Sequence, residues 1–510
     1  MKAVTTEHPP GWAKVPLQQA LLPTSTFNPR TAKRGEFYYI DIEAIDNKKQ
    51  QVVAPKRIAN RAAPSRARNA VQAGDVIFAL VRPYLKNIAI VPVELDSAVA
   101  STAFFVCRPG PGINNRYILN ILRQDSFIAS IATYGSSPPA ARDDEFEKLP
   151  VVIAPAKEQE RIADVLDELL SDLDAAVAAL DRVREKLKLY RASVLKAAVE
   201  GSLSAEWRKQ HPHTEAASEL LERILIERRR RWEEDQLAKF KGKGKEPPKN
   251  WKAKYKEPAA PNTASLPPLP EGWSWVSFDH VGLTQGGIQK SPARAPKKNH
   301  YPYLRVANVL RGSLDLADLH RFELTQEELS RLRLQAGDIL IVEGNGSRTE
   351  IGRCALWRGE VENCVHQNHL IRVRPLPGVL SKYANTFLNS PIGQMAIQHV
   401  ASSTSGLYTL NISKIKKLPL ALLPSSEQEA IVEAVEDQLS VIDHLEGDLD
   451  AKVKSAQGLR QAILRHAFTG RLVPQDPNDE PAEELLKRIT AARQAHATEA
   501  RTSQGTPEDA

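Results

Sequence analysis

Residues 158–201 read EQERIADVLDELLSDLDAAVAALDRVREKLKLYRASVLKAAVEG. Apolar or near-apolar side chains recur at Ile162, Leu166, Leu169, Leu173, Ala176, Leu180, Val183, Leu187, Tyr190 and Val194. The gaps alternate between four and three residues, the seam of a coiled coil rather than the wider stripe of a globular helix. Gly201 closes the stretch, and glycine suits a helix end because it takes positive φ without steric cost. A rod of about 43 residues is predicted, roughly 65 Å long at about 1.5 Å per residue.

The same stretch returns 269 residues later. Glu427-Gln428-Glu429 opens it, Ile431, Val435, Gln438, Ile442, Leu445, Leu449, Lys452, Ala456, Leu459 and Ile463 follow, and Gly470 closes it. Gln438 and Lys452 interrupt the seam, and each has an apolar neighbour, Leu439 or Val453, that could replace it. Two rods in one chain supply each other with a partner, so an intramolecular pair is expected.

The flanking sequence repeats too. Gly11-Trp12 returns as Gly272-Trp273, Gln72-Ala73-Gly74-Asp75 as Gln335-Ala336-Gly337-Asp338, Arg108-Pro109 as Arg374-Pro375, and Leu149-Pro150 as Leu418-Pro419. Ala217 to Ile224 is echoed by Ala482 to Ile489. A repeat this long is a duplicated globule-plus-rod, not a solenoid. The fold class expected is α+β, with two homologous α/β domains, two long antiparallel coiled-coil helices and a pseudo-two-fold plan. The segments expected are 1–155, a first globule; 156–212, a first rod; 213–265, a charged helix and proline-rich connector; 266–423, a second globule; 424–472, a second rod; and 473–510, a short helix and disordered tail.

Composition narrows the class. The chain has 510 residues, a net charge of +7 and three cysteines, Cys107, Cys354 and Cys364. The odd, low cysteine number argues against a disulfide scaffold and fits a reducing cytoplasm. Neither a signal peptide nor a membrane-spanning run is expected. Cys354, Cys364, His366 and His369 lack the closed knuckle spacing of a zinc site. Gly344-Asn345-Gly346-Ser347 is not followed by the lysine of a phosphate loop, and Asp143-Asp144-Glu145 reads as an acidic turn. No catalytic or cofactor-binding residue and no metal ligand is assigned.

Candidate DNA-contacting residues lie where the two globules differ. In the first they are Arg82, Lys86, Asn87, Ser136 and Arg142. In the second they are Asn345, Ser347, Arg348, Arg353, Gln367, Asn368, His369, Ser405, Tyr408, Asn411 and Lys414. Hydroxyls, amides and cations hold phosphates, Asn and Gln pair with adenine, and Arg pairs with guanine. The arginines at 228–231 read as a helix face partnered by Glu227, Glu233, Glu234 and Asp235.

Several stretches resemble the specificity subunit of Type I restriction-modification enzymes. They are Leu269-Pro270-Glu271-Gly272-Trp273, the Gln-Ala-Gly-Asp turns, residues 367–375 and 406–413, and the Glu-Gln-Glu opening of each rod. The resemblance covers about 10–475. It implies two target-recognition domains joined by two long helices that pack antiparallel, reading double-stranded DNA with an asymmetric bipartite target. It also implies two methyltransferase and two restriction subunits as partners, which would carry S-adenosylmethionine, ATP and Mg2+. The alternative is a single-chain DNA-modifying or DNA-cleaving enzyme. A coiled-coil adaptor that binds no DNA is the third reading.

Overall fold

The computed structural model describes residues 8–504 apart from 30, 33, 34, 243 and 405. The chain divides into two compact units, 1–181 with 450–510, and 182–449. Both boundaries fall within long helices, Ala156–Val199 and Ser425–Phe468, each of 44 residues. Each unit therefore takes part of both rods.

The first unit is built on two four-stranded sheets. In one, Phe104–Pro109 lies between Leu21–Leu22 and Val76–Ala79, and Ile88–Ile90 forms the outer edge. In the other, Glu36–Ile40 pairs antiparallel with Lys56–Ala59 and parallel with Val99–Ser101. The second unit repeats this with a four-stranded and a three-stranded sheet. Leu370–Pro375 lies between Gly282–Gly286 and Ile339–Val342, and His300–Leu304 pairs antiparallel with His320–Glu323 and parallel with Val365–His366. The strands at each centre, Val76–Ala79 and Ile339–Val342, are buried throughout, as expected of strands covered on both faces.

The same bonds fasten the frame in both units. Trp12 Nε1 donates to Glu158 and Trp273 Nε1 to Glu427, each at 2.9 Å. The Tyr117 hydroxyl donates to the Val152 carbonyl and that of Tyr383 to Ala421, again at 2.9 Å. Gln159 accepts from Asn114 N at 3.0 Å, and Gln428 from Leu380 N at 2.7 Å. In the paired turns, Arg108 forks onto Asp75 and Arg374 onto Asp338. Repetition of buried polar bonds holds the frame while leaving the loops free to vary.

Each globule is also closed by the helix that follows the opposite rod. Ala482 N donates to Gly11 O at 2.8 Å, and Leu485 and Ile489 join the first core. Ala217 N donates to Gly272 O at 3.0 Å, and Leu220 and Ile224 join the second. The last helix runs over Ala482–Gln504, well beyond the short helix expected there.

The helix ends match expectation, with Gly201 at φ +79° and Gly470 at φ +67°. The seam register holds at Ile162, Leu166, Leu173, Leu180, Leu187 and Val194 but shifts at the positions between them. Leu170 is 4% exposed, whereas Leu169 is 37% exposed. Val177, Arg184 and Arg191 are half-buried, each one position past the expected Ala176, Val183 and Tyr190, which are exposed. In the second rod, Leu445, Lys452 and Leu459 are exposed, and Glu446, Val453 and Arg460 face inward instead. The reason is electrostatic as well as apolar. Arg191 reaches Asp443 and Glu446, and Arg460 reaches Asp174, so arginine stems fill the seam and their heads are paired.

Candidate nucleic-acid interface

In the second unit, strand pairing gathers residues far apart in sequence. Gly344–Asn345 pairs antiparallel with Leu407–Thr409, setting Asn345 opposite Tyr408. Glu343 N donates to His369 O at 3.0 Å, and Leu410 N donates to Glu343 O at 2.7 Å. Asn368 N donates to Ile288 O at 2.9 Å. Loops 343–350, 367–369 and 407–414 thus meet, together with 286–290. A Cβ at Gly287 would lie 2.3 Å from the carbonyl oxygens of both His366 and Gln367, so only glycine lets these backbones approach. The exposed Gln289 and Lys290 beyond it belong to the same cluster. They escaped sequence reasoning, which saw no signal in a short polar run.

The side chains differ in availability. Ser347 and Arg348 are exposed, and Ser347 N is fixed by Asn345 Oδ1 at 2.8 Å. His369 is exposed, with Glu343 3.6 Å from Nδ1. Gln367 and Asn368 are half-buried. Arg353 is held by the Val306 carbonyl at 3.4 Å, and Glu350 lies 3.9 Å away. Asn411 Oδ1 caps the helix Ile412–Lys416 by accepting from Lys414 N at 2.9 Å. Lys414 Nζ bonds to Ser402 and to Thr409 O. Ser405 lies outside the described residues. Behind the turn, His366 is fully buried. Burial, reinforced by Arg372, pushes its pKa down to about 4, so it stands neutral at pH 7.

In the first unit, a smaller group meets. Arg82 N donates to Pro139 O at 2.9 Å, and the Arg142 guanidinium lies 4.2 Å over the Tyr134 ring. Arg82, Ser136 and Arg142 are all exposed. Lys86 is turned away from them, bonding to Arg123 O at 2.9 Å and to Asp125. Asn87 is 7% exposed, and its carbonyl accepts from Ala79 N. It stands in the frame, not on the exposed face, because the strand Ile88–Ile90 starts beside it. The shared parallel register matches Gln367-Asn368-His369 with Ser101-Thr102-Ala103. Thr102 is exposed and its N–H donates to Arg66 O at 2.9 Å, which adds Thr102 and Arg66 to the candidate face.

The other constellations resolve into structure. Cys354 and Cys364 are buried, and burial pushes each thiol up to about 12. Among the described residues, no group of three or more His, Cys, Asp or Glu is placed to hold a metal ion. Nor, among them, is any helix long and apolar enough to cross a membrane. Arg229, Arg230 and Arg231 pair within their helix as expected, but Arg228 leaves it to reach Asp279 and Tyr255.

A duplicated α+β frame with paired long helices and unlike loop clusters defines a class of two-headed recognition subunit. No family model matches the chain. It is 27% identical over 402 residues to the EcoKI specificity subunit of Escherichia coli K12, a Type I restriction enzyme subunit. That match spans 76% of this chain and 74% of the relative. The StySPI specificity subunit of Salmonella potsdam is 24% identical over 400 residues, 76% of this chain and 73% of the relative. A solved chain from work on assembly and conformational transition of the Type I restriction-modification system superposes with a TM-score of 0.67. It is 22% identical and covers 91% of this chain and all of its own, which establishes the fold. Over about three quarters of its length the chain is similar to specificity subunits of Type I restriction enzymes, and it shares the fold of the solved chain.

Proposed function

We propose that this chain is the DNA-reading subunit of a Type I restriction-modification complex. One observation carries the reading. The two globules share their buried bonds, Trp12–Glu158 with Trp273–Glu427 and Asp75–Arg108 with Asp338–Arg374, yet differ in the loops that carry the candidate contacts, 82–87 and 134–142 against 343–350 and 405–414. A constant frame with different loops suits two readers of two different short sequences. The target is therefore asymmetric and bipartite. Phosphate contacts supply most of the affinity and base edges the specificity.

The proposed target-recognition domains are 1–155 and 266–423. The proposed contacts are the exposed Arg82, Ser136 and Arg142 in the first, and Asn345, Ser347, Arg348, Gln367, Asn368, His369 and Tyr408 in the second, with Asn411 and Lys414 shaping the loop. Two methyltransferase subunits and two restriction subunits assemble on the chain in the cytoplasm. Those partners bind S-adenosylmethionine, ATP and Mg2+. Exposed Val183, Leu189, Tyr190, Val441 and Leu445 on the rods support a protein-docking role for the helices.

The test is to map methylated adenines in the host genome with and without this chain. A two-part motif that disappears with the chain supports the reading. An unchanged methylation pattern overturns it. Methylation or cleavage by the purified chain alone would favour the single-chain enzyme instead.

A further inference from the structure

Residues 236–256 carry eight lysines and a single glutamate. Their net charge, +7, equals that of the whole 510-residue chain, so the remaining residues balance to neutrality. This segment ends the helix Ala217–Gly242 and turns back along it through Trp251–Lys254.

The turn is built, not slack. Trp251 is 9% exposed and stacks on Trp232 with ring centroids 5.8 Å apart. Tyr255 meets Trp232 edge-on at 5.3 Å, and Phe240 meets Trp251 at 6.5 Å. Lys245 N donates to Phe240 O at 3.0 Å. Arg228 ties the base of the turn to the globule, donating to the Tyr255 hydroxyl and to Asp279, each at 2.8 Å. Asp279 also pairs with Lys416 at 3.2 Å, in the helix that Asn411 caps. One carboxylate thus joins the arm to the loop cluster of the second unit.

The helix acids nearest the turn are already committed. Glu227, Glu233, Glu234 and Asp235 pair with Arg229, Arg230, Arg231, Lys239 and Lys252. Lys241, Lys245, Lys249, Lys254 and Lys256 are exposed, and no ion pair is formed by them among the described residues. An aromatic scaffold that holds five like charges unpaired works against their mutual repulsion, so a polyanion fits the strip. Lysine is a mobile point charge suited to phosphate, whereas planar bidentate reading favours arginine. Lysine is also depleted where proteins meet one another.

We propose that residues 236–256 form an arm that holds the phosphate backbone of the DNA duplex, adding affinity without reading sequence. This rests on the DNA-reading function proposed above. The experiment uses the chain assembled with its methyltransferase subunits and a duplex carrying the mapped target. Affinity is measured from about 50 to 200 mM salt, each phosphate contact contributing about 0.9 to the log–log slope. Changing Lys241, Lys245, Lys249, Lys254 and Lys256 together to Gln should lower that slope by about 2–4 and weaken binding at least about tenfold. The methylated motif should stay the same, and the matching Lys→Arg variant should retain the wild-type slope. An unchanged slope in the Gln variant overturns the arm alone. So does loss of methyltransferase subunit binding with the slope intact, which would mark an acidic protein surface as the ligand. If the wild-type complex shows no salt-dependent DNA binding, the arm and the DNA-reading function both fall.

Discussion

The Trp273 indole donates to the Glu427 carboxylate at 2.9 Å, and that carboxylate also accepts from Ser204 at 2.7 Å and Arg208 at 2.6 Å. Among the described residues its counterpart Glu158 accepts from Trp12 alone, and its other oxygen is buried with no hydrogen-bond partner. Val473 and Pro477 stand where the repeat would place a second serine and arginine. Glu427→Gln should therefore cost about 1.5–3 kcal/mol by breaking charge-assisted bonds, and Glu158→Gln much less. Chemical denaturation of the two variants at pH 7 checks this; equal losses would refute the asymmetry.

The same contrast predicts a pH effect. Burial raises the Glu158 carboxyl above its ordinary value. Below the unfolded value both states hold the proton, and the group contributes fully to stability. As pH rises past it the unfolded chain ionises first, so stability falls until the raised folded value has been passed. The difference in melting temperature between wild type and Glu158→Gln should shift in favour of the variant from about pH 4 to pH 7. A constant difference would contradict the assignment.

The shifted seam gives a sharper test of the rods. Leu170→Ala removes a buried side chain and should cost about 2–5 kcal/mol, whereas Leu169→Ala should cost less than about 1 kcal/mol. Thermal unfolding that ranked them in the opposite order would restore the unshifted register.

Asp338 is fully buried and forked by Arg374 at 2.6 and 2.7 Å. Arg374→Met leaves that carboxylate without its cation and should destabilise the second unit by about 3–5 kcal/mol. Hydrogen exchange should locate the loss within residues 182–449, with 1–181 protected as before; uniform loss of protection would argue against separate units.

Base reading is predicted to be modular. Exchanging residues 272–418 for those of another family member should change one half of the methylated motif only. Within that half, Arg348→Ala or Asn368→Ala should each reduce discrimination at a single position by about 1–3 kcal/mol. A change in both halves of the motif would break the modular reading.

Much of this architecture is legible along the chain because it is periodic or repeated. The Glu-Gln-Glu openings, Gly201, Gly470 and the Gln-Ala-Gly-Asp turns mark the frame directly. Four seam positions of the first rod were misplaced because neighbours such as Leu169 and Leu170 are equally apolar, and only packing, Leu170 joining the core that holds Leu464 and Phe468, decides which faces inward. The candidate face was harder to read. Asn345 meets Tyr408, and Glu343 meets His369, through strand pairing that has no local signal. Asn87 was misjudged because a polar residue beside a loop can be buried by the strand that follows it. The stacking of Trp232 on Trp251, which makes the lysines of 236–256 a surface, likewise has no local signal.

The interleaving of the two units has a consequence for synthesis. Residues 182–449 form one continuous unit, complete when Leu449 has left the ribosome. The earlier residues 1–181 still lack Leu464, Phe468, Leu485 and Ile489, which complete their core. At about 5–20 residues per second, the first globule waits roughly 15–55 s after Asp181 is made before those residues begin to appear. The half translated first therefore finishes folding last, and a nascent chain presents its unfinished apolar face to chaperones throughout that interval.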